Sequence, residues 1–118
     1  MKAQNILPYA LIALFSLGCS SLGMRTIPLE DLKKKYANEH SKFITIDGTT
    51  IHYRDEGKGP ALVMLHGVCA SLHTWDGWVA ELKDRYRLIR IDNPGFGLTG
   101  PLADGKYTPE NYVSMFEK

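Results

Sequence analysis

Ala61-Leu62-Val63-Met64-Leu65-His66-Gly67-Val68 is an unbroken apolar run that ends on a His-Gly pair. An apolar stretch this short, broken off before Ala61 by Gly57-Lys58-Gly59-Pro60, reads as a strand covered on both faces, the habit of a parallel sheet. Downstream, Asp92-Asn93-Pro94-Gly95-Phe96-Gly97 forms a second turn-rich signal. A buried strand that opens into a glycine-permitted loop, then a helical pattern from Ser71 to Leu82, can set backbone N–H groups where a reacting oxygen will sit.

Working outward, Trp75, Trp78, Val79 and Leu82 recur at i, i+3, i+4 and i+7, so one helical stripe between Ser71 and Lys83 can cover the sheet. Both tryptophans are expected as core anchors. Leu88-Ile89-Arg90-Ile91 is the next strand, and its crossover from Ala61–Leu65 through the helix predicts a right-handed βαβ unit. On the N-terminal side, Phe43–Ile46 and Thr50–Arg54 are β-rich runs joined across Asp47-Gly48-Thr49, an antiparallel hairpin in which Asp-Gly supplies the positive φ of a tight turn. Thr26-Ile27-Pro28-Leu29-Glu30-Asp31-Leu32 opens a helix, with Pro and acids in its first turn and Leu29, Leu32 and Tyr36 on one face. Thr108-Pro109-Glu110 starts the last helix with an N-cap, a proline at the first position and an early acid. Tyr112, Val113 and Phe116 on that helix await a surface to cover.

The bulk composition sets limits. With 118 residues, 44% hydrophobic, the chain fits one small domain or part of a larger one and is not disordered. A net charge of +1 from 14 basic and 13 acidic residues gives no electrostatic case for nucleic acid. Lys33-Lys34-Lys35 reads as a solvated helix face. Cys19, Cys69, His40, His52, His66 and His73 are scattered without a zinc-ligand spacing, so no metal and no cofactor is expected.

The first residues differ from the rest. Lys2 is the only charge before Arg25, and Ile6 to Gly18 is apolar apart from Ser16, interrupted by Pro8, which matches a short secretory leader too brief for a comfortable membrane span. Leu14-Phe15-Ser16-Leu17-Gly18-Cys19-Ser20-Ser21 resembles a bacterial lipoprotein signal, in which a small residue precedes a cysteine that is lipid-modified after cleavage. Ser16 departs from that pattern, which usually has a branched aliphatic there. An ordinary signal peptide or an uncleaved anchor is the alternative. The resemblance implies an exported, envelope-located and membrane-anchored protein with Cys19 acylated, each buried CH₂ of the lipid worth about 0.8 kcal/mol. Cys69 would then lack a partner and is expected as a small packed side chain. The chain thus divides into a leader at residues 1–19, a tether and amphipathic helix at 20–42, and a folded part at 43–118.

Leu65-His66-Gly67-Val68-Cys69-Ala70-Ser71, with Trp75 four residues on, resembles the oxyanion loop of α/β-hydrolases, and the likeness runs from about Phe43 to Lys118. It implies an α/β fold, the N-terminal part of the family's sheet, with an antiparallel hairpin followed by parallel strands and crossover helices. It further implies that Val68 donates its main-chain N–H to the oxyanion, that Gly67 lets the backbone turn close to substrate, and that His66 is a structural residue bonding nearby backbone. Asp92-Asn93-Pro94-Gly95-Phe96-Gly97-Leu98-Thr99 resembles the family's D-x-x-G-x-G-x-S segment, with Thr99 for Ser and Asn93 where an apolar or basic residue is commoner. Its glycines suit a turn beside the active-site mouth better than a phosphate cradle, because the third Gly and immediate helix of dinucleotide binding are missing. Cys69 stands where epoxide hydrolases and dehalogenases commonly carry Pro, which tilts the expectation toward Ser-dependent ester or related hydrolysis of a small carbonyl substrate.

The nucleophile elbow G-x-S-x-G does not occur in these 118 residues: Ser71 lies in Cys-Ala-Ser-Leu-His and Ser114 in Tyr-Val-Ser-Met-Phe. The acid and base that follow it in the family are missing too. Pairing Ser71 with His73 would lack an orienting acid. The expectation is therefore an inactive N-terminal portion, severed before the elbow, with the Ala61–Leu65 edge unpaired. A non-catalytic envelope lipoprotein that uses a partial hydrolase scaffold as a binding or structural module is the rival.

Overall fold

The structure is a computed structural model that describes residues 27–118. The leader at residues 1–19, Cys19 and the tether as far as residue 26 lie outside the described residues. The first described element is helix α1, Leu29–Tyr36, preceded by Pro28 at its N-cap rather than inside the first turn, with Glu30 and Asp31 following. Its last turn is held by Arg54, whose Nη2 donates to the Tyr36 carbonyl at 3.0 Å. A guanidinium there satisfies an orphan carbonyl and complements the negative end of the helix dipole.

Strand β1, Ser41–Ile46, turns at Asp47 and Gly48, with φ of 47° and 78°, into β2, Thr49–Gly57. Two successive positive φ values fit the twist of a two-residue hairpin, and Ile46 pairs directly with Thr49. β3, Ala61–Leu65, and β4, Arg87–Ile91, run parallel to each other, and β4 joins the hairpin by antiparallel pairing with β2. The order is β1-β2-β4-β3. The crossover from β3 to β4 carries a 3-10 turn, Leu72–Trp75, and helix α2, Asp76–Leu82. Helix α3, Pro109–Phe116, closes the described chain, its N-cap Thr108 accepting at Oγ1 from the Asn111 N–H at 3.3 Å.

Pairing register separates the residues into two unlike faces. His52, Arg54 and Glu56 of β2, Leu88 and Arg90 of β4, and Met64 of β3 share the face beneath α1, the 3-10 turn and α2. Met64, Val79 and Leu88 are buried there against Trp75 and Leu82, each buried aliphatic worth about 1.5–3 kcal/mol. Arg90 is buried beside them, donating to the Glu56 and Asp76 carboxylates and to the Leu72 carbonyl at 3.3 Å. The opposite face is aliphatic: Ile44, Ile46, Ile51, Tyr53, Ile89 and Ile91 line one groove with Met115 and Phe116 of α3.

Several expectations need correction. β3 is not covered on both faces; it sits at the end of the described sheet with only Met64 buried, and Val63 is 55% exposed. The helical stripe is broken by the 3-10 turn, which shifts its phase. Leu72 becomes fully buried, Trp75 partly so, and Trp78 is 57% exposed instead of anchoring the core. Cys69 is exposed and left-handed, at φ 58°, so it is not packed.

Asp55 on the aliphatic side of the sheet receives Arg87 Nε and Nη2 at 2.8 and 2.7 Å and Lys42 Nζ at 3.3 Å, linking three strands. The Arg87 fork, with help from Lys42, lowers its carboxyl to about 2 against an opposing push from burial. The folded value lies below the unfolded 3.8, so this stabilisation is complete above about pH 4 and is lost as pH falls through about 2. Urea unfolding at stepped pH should show that acid loss, and Asp55→Asn should flatten it. Residues 20–118 alone should aggregate through the β3 edge, and Val63→Lys should raise the soluble fraction severalfold on size-exclusion chromatography; equal fractions would exclude the edge as the cause.

Candidate active-site loop

Asp92 directly follows β4 and is 2% exposed. Its Oδ2 accepts from His52 Nδ1 at 2.7 Å and from the Leu98 N–H at 2.9 Å, and its Oδ1 accepts from the Leu72 N–H at 2.8 Å. Burial raises the carboxyl's pKa, but His52 and the two backbone donors outweigh it, and the net direction is down. Because a carboxylate only accepts, the His52 proton sits on Nδ1. His52 Nε2 has no partner among the described residues.

Thr99 completes the knot. Its hydroxyl donates to the Asp92 carbonyl at 2.6 Å and accepts the His52 N–H at 2.9 Å. Gly97 takes φ 54°, and a Cβ there would lie 2.2 Å from the Asp92 carboxyl carbon. Both the left-handed backbone and the carboxylate therefore demand glycine.

His66 leaves β3 buried, with its ring edge-on to Phe96 at 5.7 Å between centroids. Its Nε2 accepts the Asn93 N–H at 2.9 Å, and its Nδ1 donates to the Gly67 carbonyl at 2.7 Å. A main-chain N–H can only donate and a carbonyl only accept, so the neutral Nδ1–H tautomer is dictated by its partners. Asp92 Oδ1 lies 3.9 Å from Nε2, beyond hydrogen-bond range. The Asn93 side chain returns to the same residue, Nδ2 donating to the His66 carbonyl at 2.8 Å.

Val68 follows, 84% exposed, and no acceptor among the described residues takes its N–H. The loop thus brings His66, Gly67 and Val68 together with Asn93. Ser71 and His73 stand apart from it: they line a cavity with Leu32, Tyr36, His52, Asp92, Gly97 and Leu98, and His73 Nδ1 bonds Asp76 at 2.9 Å. Burial pushes the Asp76 carboxyl up, but its bonds to His73 and Arg90 prevail and lower it. Among the described residues, no three His, Cys, Asp or Glu side chains converge to hold a metal, and no helix is long and apolar enough to cross a membrane.

The sequence places His52 in a strand of the hairpin and Asp92 at the head of the glycine-rich turn, with nothing to join them. Their pairing spans 40 positions, and the signal that could have suggested it was an acid ending an apolar strand, where a buried charge needs a donor set.

The alpha/beta hydrolase fold profile matches residues 60–118, half of the sequence. The chain belongs to the alpha/beta hydrolase fold family. A pimeloyl-[acyl-carrier protein] methyl ester esterase of Nitrosomonas europaea is 48% identical over 54 residues, 46% of this chain and 21% of that protein. A 2-(acetamidomethylene)succinate hydrolase of Mesorhizobium japonicum is 28% identical over 85 residues, 70% of this chain and 30% of that protein. Among solved structures, the Cif epoxide hydrolase of Acinetobacter nosocomialis superposes with TM-score 0.64 at 26% identity, over 81% of this chain and 35% of that one. The chain therefore spans about a fifth to a third of the length of these hydrolases.

Replacing Asp92 by Asn sets an NH₂ group against at least one of the three donors. Chemical denaturation should register a loss of about 3 kcal/mol; a change below about 0.5 kcal/mol would remove Asp92 from its central place.

Proposed function

We propose that this chain carries the oxyanion loop of a Ser-dependent hydrolase acting on a small carbonyl substrate, with the Val68 N–H as one of two donors. The observation that carries the reading is at Val68, an exposed residue whose N–H meets no acceptor among the described residues and whose peptide partner, the Gly67 carbonyl, is held on His66 Nδ1 at 2.7 Å. Gly67 gives the backbone its approach, and His66 holds the loop rather than moving protons.

The methyl ester esterase and the succinate-derivative hydrolase among the relatives support carbonyl chemistry. Epoxide opening is the competing chemistry, and Cys69 in place of the proline common in that branch argues against it. The second donor and the nucleophile would come from a G-x-S-x-G elbow, which residues 1–118 do not contain, so the chain alone is inactive on this reading. The leader resembling a lipoprotein signal supports export and anchoring through Cys19.

The test is to translate the reading frame beyond Lys118 and assay both products on p-nitrophenyl esters. The 118-residue chain should match the uncatalysed rate, and the longer product, carrying an elbow and later an acid and a histidine, should hydrolyse the ester. In the longer product Val68→Pro, which removes the N–H, should lower kcat about 10²–10³-fold, the usual loss for one such donor, whereas Val68→Ala should change it less than about twofold because only the backbone acts. A reading frame without an elbow would overturn the proposal and leave the non-catalytic scaffold.

A further inference from the structure

We infer that Asn93 is a positioning residue for the oxyanion donor, clamping His66 from two sides so that the Gly67–Val68 peptide plane holds one orientation. This rests on the reading of Val68 as that donor. The argument starts from the peptide unit. No peptide bond among the described residues is cis, and in a trans peptide the carbonyl of Gly67 and the N–H of Val68 point in opposite directions. The Gly67 oxygen is drawn onto His66 Nδ1 at 2.7 Å, so the Val68 N–H is turned away from the imidazole toward the open side of the loop.

That bond exists only while His66 keeps its proton on Nδ1 and its ring in place. Both conditions trace to Asn93. Its backbone N–H occupies Nε2 at 2.9 Å, which forces the tautomer, and its side-chain amide grips the His66 carbonyl at 2.8 Å, which fixes the start of the loop. Phe96 supports the ring from its edge.

The alternative state is definable. With the His66 carbonyl released, the loop gains freedom next to Gly67, a residue that places no side chain in the way of a peptide flip. A flip would present the Gly67 carbonyl, an acceptor, where the oxyanion needs a donor. The amide acts through its nitrogen, since Nδ2 faces the His66 carbonyl, which only accepts, while Oδ1 is buried without a partner among the described residues.

The test compares the ¹⁵N-labelled full 118-residue chain with wild-type Asn93 and with Asn93→Ala, both carrying Val63→Lys to keep the β3 edge from aggregating. With Asn93 in place the His66 imidazole should show the single Nδ1–H tautomer, and the Val68 N–H one fixed orientation in residual dipolar couplings. In Asn93→Ala the order parameter of Val68 should fall from about 0.85 to below about 0.6, while Leu72, held by Asp92, stays ordered and reports an intact fold. If Asn93→Ala does not fold, Asn93→Leu serves, since it keeps a similar shape and loses the donor without adding a charge beside Asp92. An Nε2–H tautomer with Asn93 in place, or an unmoved Val68 in the folded variant, overturns the inference.

The longer hydrolytic product separates the two ideas. There Asn93→Ala should lower kcat at least tenfold with KM within twofold. If Val68→Pro is harmless, the oxyanion reading fails while the spectra still judge the clamp. If Val68→Pro is damaging and Asn93→Ala is not, the clamp fails and the reading stands.

Discussion

One carboxylate organises the loop side of this fold. Asp92, directly after β4, gathers donors from β2 through His52, from the start of the 3-10 turn through Leu72, and from its own following loop through Leu98. A buried charge is tolerable only when its lone pairs are all served, so satisfying Asp92 fixes three separate segments at once. The residue next to it is Asn93, which bonds His66, so the position of the His66–Val68 loop is inherited from the same anchor.

The sheet has two physical characters. Beneath α1 and α2 it buries charge: Arg90 is tied to Glu56 and Asp76, and Arg54 caps α1 through the Tyr36 carbonyl. On the opposite side the isoleucines of β1, β2 and β4 line a groove with α3. Specificity of strand pairing is carried by ion pairs on both faces, Arg90 with Glu56 and Asp76 beneath the helices and Asp55 with Arg87 and Lys42 on the other side, which a one-residue slip would part. The isoleucines around the Asp55 cluster contribute burial with little directional demand.

What was legible in the sequence was local. Asp47-Gly48 announced the hairpin, Thr108-Pro109 announced α3, and the apolar runs announced β3 and β4, since each depends on residues a few positions apart. The His-Gly loop was legible as a motif. What stayed hidden was long-range or depended on neighbours. His52 meets Asp92 across 40 residues, and Glu56 meets Arg90 across 34, so neither pair leaves a periodic trace. Trp78 fitted a helical stripe, yet the 3-10 turn ahead of α2 rotated it outward. Val63 is apolar enough for a covered strand, but coverage is a property of what lies beside β3 and not of β3 itself.

Gly97 carries a consequence for how this loop can change over generations. A methyl group there would collide with the Asp92 carboxyl carbon at 2.2 Å, so the glycine is the imprint of the aspartate as much as a requirement of its own φ. The two positions form one unit of inheritance. A lineage could enlarge residue 97 only after abandoning the carboxylate, and by then the anchor that made the loop worth keeping would already be gone.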